Sequence, residues 1–225
     1  MTEQDLLYTL ALQHVPNIGD IIAKRLILNC GNAEAVLKEK KQNLLKINGI
    51  GSVMLSNLFD ASHFKAATKE MAFIKENNIR VSYFKSDAYP EKLKHCIDSP
   101  ILLFEAGNIN LKNQHLISIV GARKITSSGI AICEDFIEKL APYNPVIISG
   151  FAYGTDITAH KAAIKNKLQT IGCLAHGLNQ IYPKVHKKYM ASVEAVSYTH
   201  LRAHETVVRI SYAVFCLKRG GGGGG

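Results

Sequence analysis

The stretch LISIVGARKITSSGIAICEDFIEKLAPYNPVIISGFAYGTDITAHKAAIKNKLQTIGCL, residues 116–174, decides the fold. Apolar runs of strand length alternate in it with amphipathic segments of helical period. The pattern predicts a strand at Leu116–Gly121, a helix at Ser127–Leu140, a strand at Val146–Ser149, a helix at Thr155–Lys165 and a strand at Gln169–Leu174. Strands that alternate with helices form a parallel sheet, because a parallel neighbour is reached by a crossover. The expected class is α/β, with half of a parallel, doubly wound, Rossmann-type domain in this stretch. Upstream, VSYF (81–84) and ILLF (101–104) are further strand-length runs. Residues before Glu76 read as short helices broken by Gly and Asn, with Ile21, Ile22, Leu26 and Ile27 at helical spacing. The expected organisation is therefore a small all-α domain over 1–76 and a Rossmann-like domain over 77–195. Residues 196–225 offer no clear helix or strand period and end in the glycine run Gly220–Gly225. That end resembles translated sequencing-adapter read-through, so it is expected to be a non-native tail and the Rossmann-like domain to be incomplete.

The chain has 225 residues, 47% of them apolar and 20% charged, which suits one or two globular domains and excludes collagen, disulfide-miniprotein and disordered classes. Lys+Arg number 27 against 18 Asp+Glu, a formal charge of +9 that favours a polyanionic partner such as nucleic acid. Part of the surplus (Arg202, Arg209, Lys218 and Arg219 against Glu205) lies beyond Ser197. Cys30, Cys96, Cys133, Cys173 and Cys216 include no Cys-x-x-Cys pair and are expected to be reduced, buried small hydrophobes. The N-terminus MTEQDLLYTL has no signal-peptide succession, and no apolar run approaches the ~18 residues a membrane helix needs. A soluble, cytoplasmic protein without a membrane partner is expected.

Three turns carry the candidate chemistry. Gly121-Ala122-Arg123-Lys124-Ile125-Thr126-Ser127-Ser128-Gly129 joins a strand to a helix N-terminus through Gly and hydroxyl residues, an arrangement that binds anions, and Arg123 adds a bidentate phosphate donor. The Gly-x-Gly-x-x-Gly spacing is absent, no acid follows Val146–Ile148 to hold a ribose, and there is no Gly-Lys-Ser/Thr. NAD and ATP are thus not expected, and no cofactor is assigned. The second turn, Ser149-Gly150-Phe151-Ala152-Tyr153-Gly154-Thr155-Asp156, would lie beside the first at the carboxyl edge of the sheet, giving a phosphate-lined crevice. His160 follows Asp156 by four residues, hence on the same helix face. The pair could serve a metal or acid–base chemistry, but a capping Asp156 and a packed His160 are the commoner arrangement. The third turn, Ala175 to Pro183, brings Tyr182 to the crevice, as a base-stacking ring or, with Pro183, as a rigid loop. No catalytic constellation and no metal site are assigned.

Near the start, His14-Val15-Pro16-Asn17-Ile18-Gly19 and Ile47-Asn48-Gly49-Ile50-Gly51 are each expected to precede an apolar helix and look like helix-hairpin-helix turns. Such turns offer backbone N–H groups at a helix N-terminus to a phosphate, and so read backbone rather than sequence. Gly19, Gly49 and Gly51 are candidates for that contact, or else tight turns between packed helices. Lys24, Arg25, Lys38, Lys40, Lys41 and Lys46 lie nearby.

YPEKLKHCIDSPILLFEAGN (89–108), ISIVGARKITSSG (117–129), ISGFAYGTDITAH (148–160) and GLNQIYP (177–183) together resemble the DNA-processing protein A (DprA/Smf) family. The N-terminal part resembles the sterile-alpha-motif-like, helix-hairpin-helix-bearing domain of many members. The resemblance implies an extended Rossmann domain that binds single-stranded DNA without strong sequence preference, forms homodimers, and helps load the RecA recombinase in natural transformation (competence). It implies no turnover of a small substrate. By position, Gly121, Arg123, Lys124, Thr126, Ser127 and Gly129 fall in the phosphate turn, with Ser149, Gly150 and Gly154 in the second signature and Tyr182 in the third. Asp156, His160 and Pro183 fall where they would shape the pocket. Ser128 stands where many relatives have an aromatic, and the later Arg-Asn-Arg segment, dimer surface and RecA surface have no counterpart here.

Two other functions are open to the sequence. An enzyme reading is a Rossmann-like nucleotide phosphoribohydrolase of the lysine-decarboxylase-like type, whose glycine-glycine-x-glycine-threonine turn is absent. The third is an interaction domain with incidental basic charge.

Overall fold

The computed structural model describes residues 1–107, 111, 115–174 and 200–201. Two of the N-terminal helices begin at side-chain caps. Thr2 and Asp5 form a reciprocal capping box at α1 (Glu3–Gln13), and the Asn32 side chain accepts the Ala35 N–H at α3 (Ala33–Lys38). Between them runs α2 (Asp20–Cys30), followed later by the one-turn α4 (Lys41–Leu44) and the long α5 (Ser62–Glu76). Leu10, Leu12, Leu26, Ile27, Leu44, Leu55 and Leu58 are fully buried among these helices. Each such side chain contributes about 1.5–3 kcal/mol by leaving water.

Strands β1 (Arg80–Tyr83) and β2 (Leu102–Glu105) pair with each other antiparallel, in a ribbon separate from the parallel sheet. The two upstream strand-length runs, VSYF and ILLF, are thus strands as expected but pair with each other outside the parallel sheet. The only helix between them is the one-turn α6 (Glu91–Lys94), too short to carry a crossover over a sheet face. Arg80 and Glu105 stand opposite each other and form an ion pair at 3.4 Å. Both faces of β2 are covered. Leu102 and Phe104 join the helical core, while Leu103 packs with Tyr89, Leu93, Val146, Ile148 and Ile171. Tyr89 donates its hydroxyl to Pro100 O at 2.7 Å, and burial pushes its phenol up to about 12.

The parallel sheet runs in the order β3 (Leu116–Ser118), β4 (Val146–Ser149), β5 (Thr170–Cys173), β6 (His200–Leu201). Helices α7 (Ser127–Leu140) and α8 (Thr155–Lys165) pack on each other and on the Ile147 face of the sheet, through Ile137, Ala159, Ala162, Ala163 and Leu168. The expected strands and helices of residues 116–174 are therefore present, and the chain has the Rossmann-like α/β fold. His200 and Leu201 pair with Gly172 and Cys173, so a strand occurs within a stretch whose sequence carries no strand period. Cys30, Cys96, Cys133 and Cys173 are free and half-buried rather than buried, and Cys216 lies outside the described residues. No described helix is long and apolar enough to cross a membrane.

Candidate nucleic-acid interface

The two central glycine turns leave adjacent parallel strands and are held backbone to backbone. The Ile119 N–H donates to Ile148 O (2.9 Å), and the Thr155 N–H donates to Ala122 O (3.1 Å). Gly154, at φ +79, is the hinge of this contact. A Cβ there would collide with Ala122 O and lie 2.6 Å from Arg123 C and O, so only glycine fits. The turns therefore form one ridge at the carboxyl edge of the sheet, as the sequence predicts, although their roles differ.

The first turn faces outward. Gly121, Arg123, Lys124, Thr126 and Ser127 are exposed. Thr126 caps α7 by accepting the Gly129 N–H at 3.1 Å, and the next helical residues, Ser127 and Ser128, lie at the surface. A helix N-terminus carries a partial positive charge, so this exposed turn with its two cations is suited to an anion.

The second turn faces inward. Ser149 is buried and donates its hydroxyl to Ile119 O at 2.6 Å. The Asp156 carboxylate folds back into its own turn, accepting the Ala152 N–H at 3.3 Å, and lies so close to Gly150 that a Cβ there would be 2.7 Å from Oδ2. Burial pushes the Asp156 carboxyl above its usual range. The N–H groups of Ala152 and Gly150, the Ser149 hydroxyl and the Arg123 charge pull it back down. The Asp156 carboxylate is thus held inside its own turn, behind the half-exposed Gly150. His160 is fully buried, its ring 4.6 Å from that of Phe151. Its Nδ1 lies 2.7 Å from Thr170 Oγ1, which donates to Ile147 O at 2.9 Å. With that hydroxyl proton committed, Thr170 accepts from His160 Nδ1–H. Asp156 closes its own turn instead of capping α8, whose N-cap is Gly154 with no side-chain cap bond, and His160 packs; among the described residues no group of three or more His, Cys, Asp or Glu could hold a metal. Tyr182 and Pro183 lie outside the described residues.

Of the helix-hairpin-helix candidates, Gly19, Gly49 and Gly51 are all exposed, and Gly19 and Gly51 have open space where a Cβ would stand. Gly19 is the N-cap of α2, but the next residue, Asp20, accepts the Ile101 N–H at 2.8 Å. Lys24 donates to Ser99 Oγ at 2.6 Å and to Ile97 O at 3.2 Å, and burial lowers its pKa. The start of α2 thus packs through the Asp20 and Lys24 side chains on the 96–101 segment, while Gly19 itself stays exposed. Turns, not a helix, follow Gly51, so the second hairpin lacks the helix expected of it. The Arg25 guanidinium covers Gly49 and donates to Asn48 O at 3.0 Å. These long-range partners carry no local sequence signal. Thr155 and the Ala122 carbonyl, which join the two turns, were likewise not distinguishable from their neighbours in sequence.

Comparison with known proteins agrees with this architecture. The chain is similar to Protein Smf of Borreliella burgdorferi, 32% identical over 136 residues that cover 60% of this chain and 43% of that protein. It is also similar to DNA processing protein DprA of Streptococcus pneumoniae, 38% identical over 102 residues, 45% of this chain and 36% of that one. It thus spans about two fifths of the length of these relatives. In fold it resembles the X-ray structure of DNA processing protein A from Streptococcus pneumoniae, with a TM-score of 0.64 and 24% identity over 90% of this chain and 68% of that one. The family model for DNA recombination-mediator protein A matches residues 80–203, a range that takes in both turns, the ribbon and the strand at His200–Leu201. With more than half of its length matched, the chain belongs to the DNA recombination-mediator protein A family.

Proposed function

We propose that this chain contributes the phosphate-gripping part of a single-stranded-DNA-binding recombination mediator. The observation that carries the reading is the outward first turn, where Arg123 and Lys124 stand exposed beside the α7 N-terminus while the second turn supports them from behind. A backbone-reading site of this kind grips DNA through phosphates and is indifferent to sequence. The DNA contacts assigned here are Gly121, Arg123, Lys124, Thr126, Ser127 and Gly129. Ser149, Gly150 and Gly154 act as their scaffold, with Asp156 and His160 as internal supports. Tyr182 and Pro183 would complete the site from the third turn. The protein works as a binding module in the cytoplasm rather than as an enzyme. It acts as a homodimer that hands the strand to the RecA recombinase in DNA uptake, and the division at 76/77 belongs to the same proposal.

The test is fluorescence anisotropy of a labelled oligothymidine with the full chain at two salt concentrations, with duplex as competitor. Affinity is expected to fall steeply with salt and to resist duplex competition. Arg123→Ala should weaken binding and reduce the slope of log affinity against log salt by about 1. An unchanged slope in that variant would overturn the role of Arg123.

A further inference from the structure

We infer that Thr155 is a positioning residue of this site: its hydroxyl holds the peptide between Ala122 and Arg123 so that the Arg123 N–H faces a bound phosphate. The inference rests on the DNA-binding reading above. Residues 121–126 belong to no helix or strand, so their shape depends on what they lean against. Thr155, half-buried at the first position of α8, meets them in three ways. Its N–H donates to Ala122 O at 3.1 Å, and its hydroxyl donates to the same oxygen at 3.3 Å. Its side chain also stands against Gly121, where an added Cβ would lie 2.9 Å from Thr155 Cβ. A hydroxyl at the start of a helix commonly serves that helix, as Thr126 does for α7 and Thr158 for the first turn of α8. The hydroxyl of Thr155 crosses to the neighbouring turn instead.

A trans peptide is planar, with its C=O and N–H on opposite sides. Two donors from α8 on Ala122 O therefore turn the Arg123 N–H away from α8, on a turn whose Arg123 and Lys124 are exposed. The N–H and the guanidinium of Arg123 then serve one phosphate together, and neither reads a base. Holding a loop in its binding shape before the ligand arrives spares the cost of ordering it on association. The N–H bond of Thr155 survives any change of side chain, so the hydroxyl governs how firmly the peptide is held, whereas the contact between the turns remains.

The experiment compares the wild type, Thr155→Val and Thr155→Ser in oligothymidine affinity at two salt concentrations and in urea unfolding, with the Arg123 amide resonance followed in ¹⁵N-labelled protein. Valine keeps the β-branched shape and loses the hydroxyl, whereas serine keeps the hydroxyl and loses the methyl. Thr155→Val is expected to bind oligothymidine about threefold to tenfold more weakly per folded molecule, with an unchanged salt slope because no charge is removed. Thr155→Ser should keep wild-type affinity. The Arg123 amide resonance should move on addition of oligothymidine in the wild type and in Thr155→Ser, and by less in Thr155→Val. Wild-type affinity in a folded Thr155→Val, a loss in Thr155→Ser as large as in Thr155→Val, or an Arg123 amide that DNA leaves unmoved in the wild type overturns the role of Thr155 while leaving the phosphate site standing. The last two outcomes are read without relying on the valine variant to fold, since Thr155→Ser is then compared with the wild type alone. Failure of the wild type to bind oligothymidine overturns the DNA-binding reading and this inference with it.

Discussion

The two glycine turns leave neighbouring strands, end at neighbouring helices and share a backbone contact, yet they use their polar groups in opposite ways. The 121–129 turn keeps Arg123, Lys124 and the start of α7 at the surface. The 149–156 turn directs its carboxylate and hydroxyl inward, where Asp156 accepts the Ala152 N–H and Ser149 donates to Ile119 O. A signature rich in Gly, Ser and Asp can therefore mark a ligand cradle or the buttress behind one. Which it is depends on whether the acid closes the loop from within.

The strongest way to break this contrast is Gly154→Ala. The new methyl would meet the Ala122 carbonyl and the Arg123 backbone at a positive φ, so stability should drop by about 3 kcal/mol in urea unfolding and oligothymidine binding should fall with it. Gly121→Ala is the matched control. Its methyl would meet the Thr155 side chain rather than backbone, with Cβ at 2.9 Å, at a φ that is not positive, so a smaller loss from a local shift of Thr155 is expected, and equal losses would erase the distinction between buttress and cradle. Next in size is His160→Ala, which removes a buried ring from Phe151 and leaves Thr170 without its donor. The unfolding free energy should fall by about 2–3 kcal/mol, with DNA affinity per folded molecule unchanged. Weakened binding by a folded variant would instead place His160 in the site.

The smallest effect concerns Asp156. Its folded pKa lies above that of an ordinary aspartate because of burial, so the stability it contributes is full below the ordinary value and is lost as pH rises through the folded one. Asp156→Asn should flatten this dependence, and the thermal midpoint of the wild type should fall more between about pH 4 and neutrality than that of the variant. A wild type that instead gains stability over this interval relative to the variant would mean that the carboxylate is a net stabiliser in its ionised form.

Much of the α/β part was legible in the sequence because its signals are local. The helices Ser127–Leu140 and Thr155–Lys165 and the strand Val146–Ser149 follow from apolar period and turn residues, and fall where expected. The outer strands are shorter than the apolar runs suggest, since Ile119 and Val120 already belong to the turn. Contacts between distant segments were not legible. Asp20 meets Ile101 and Lys24 meets Ser99, so the start of a helix that reads as a phosphate site packs through two side chains on a loop more than seventy residues away. The inward fold of Asp156 escaped for a related reason: the residue type is right for either role, and only backbone geometry decides between them. The antiparallel ribbon was hidden because VSYF and ILLF carry the same apolar signal as a parallel strand.

The ribbon also bears on how the molecule comes apart. Because Leu102 and Phe104 belong to the helical core and Leu103 to the sheet core, one four-residue strand is a wall common to two rooms. Removing the helices would bare one side of it and removing the sheet the other. The two halves therefore share a melting transition, and a protease cut after Glu76 releases fragments that each carry a sticky face instead of two independent modules.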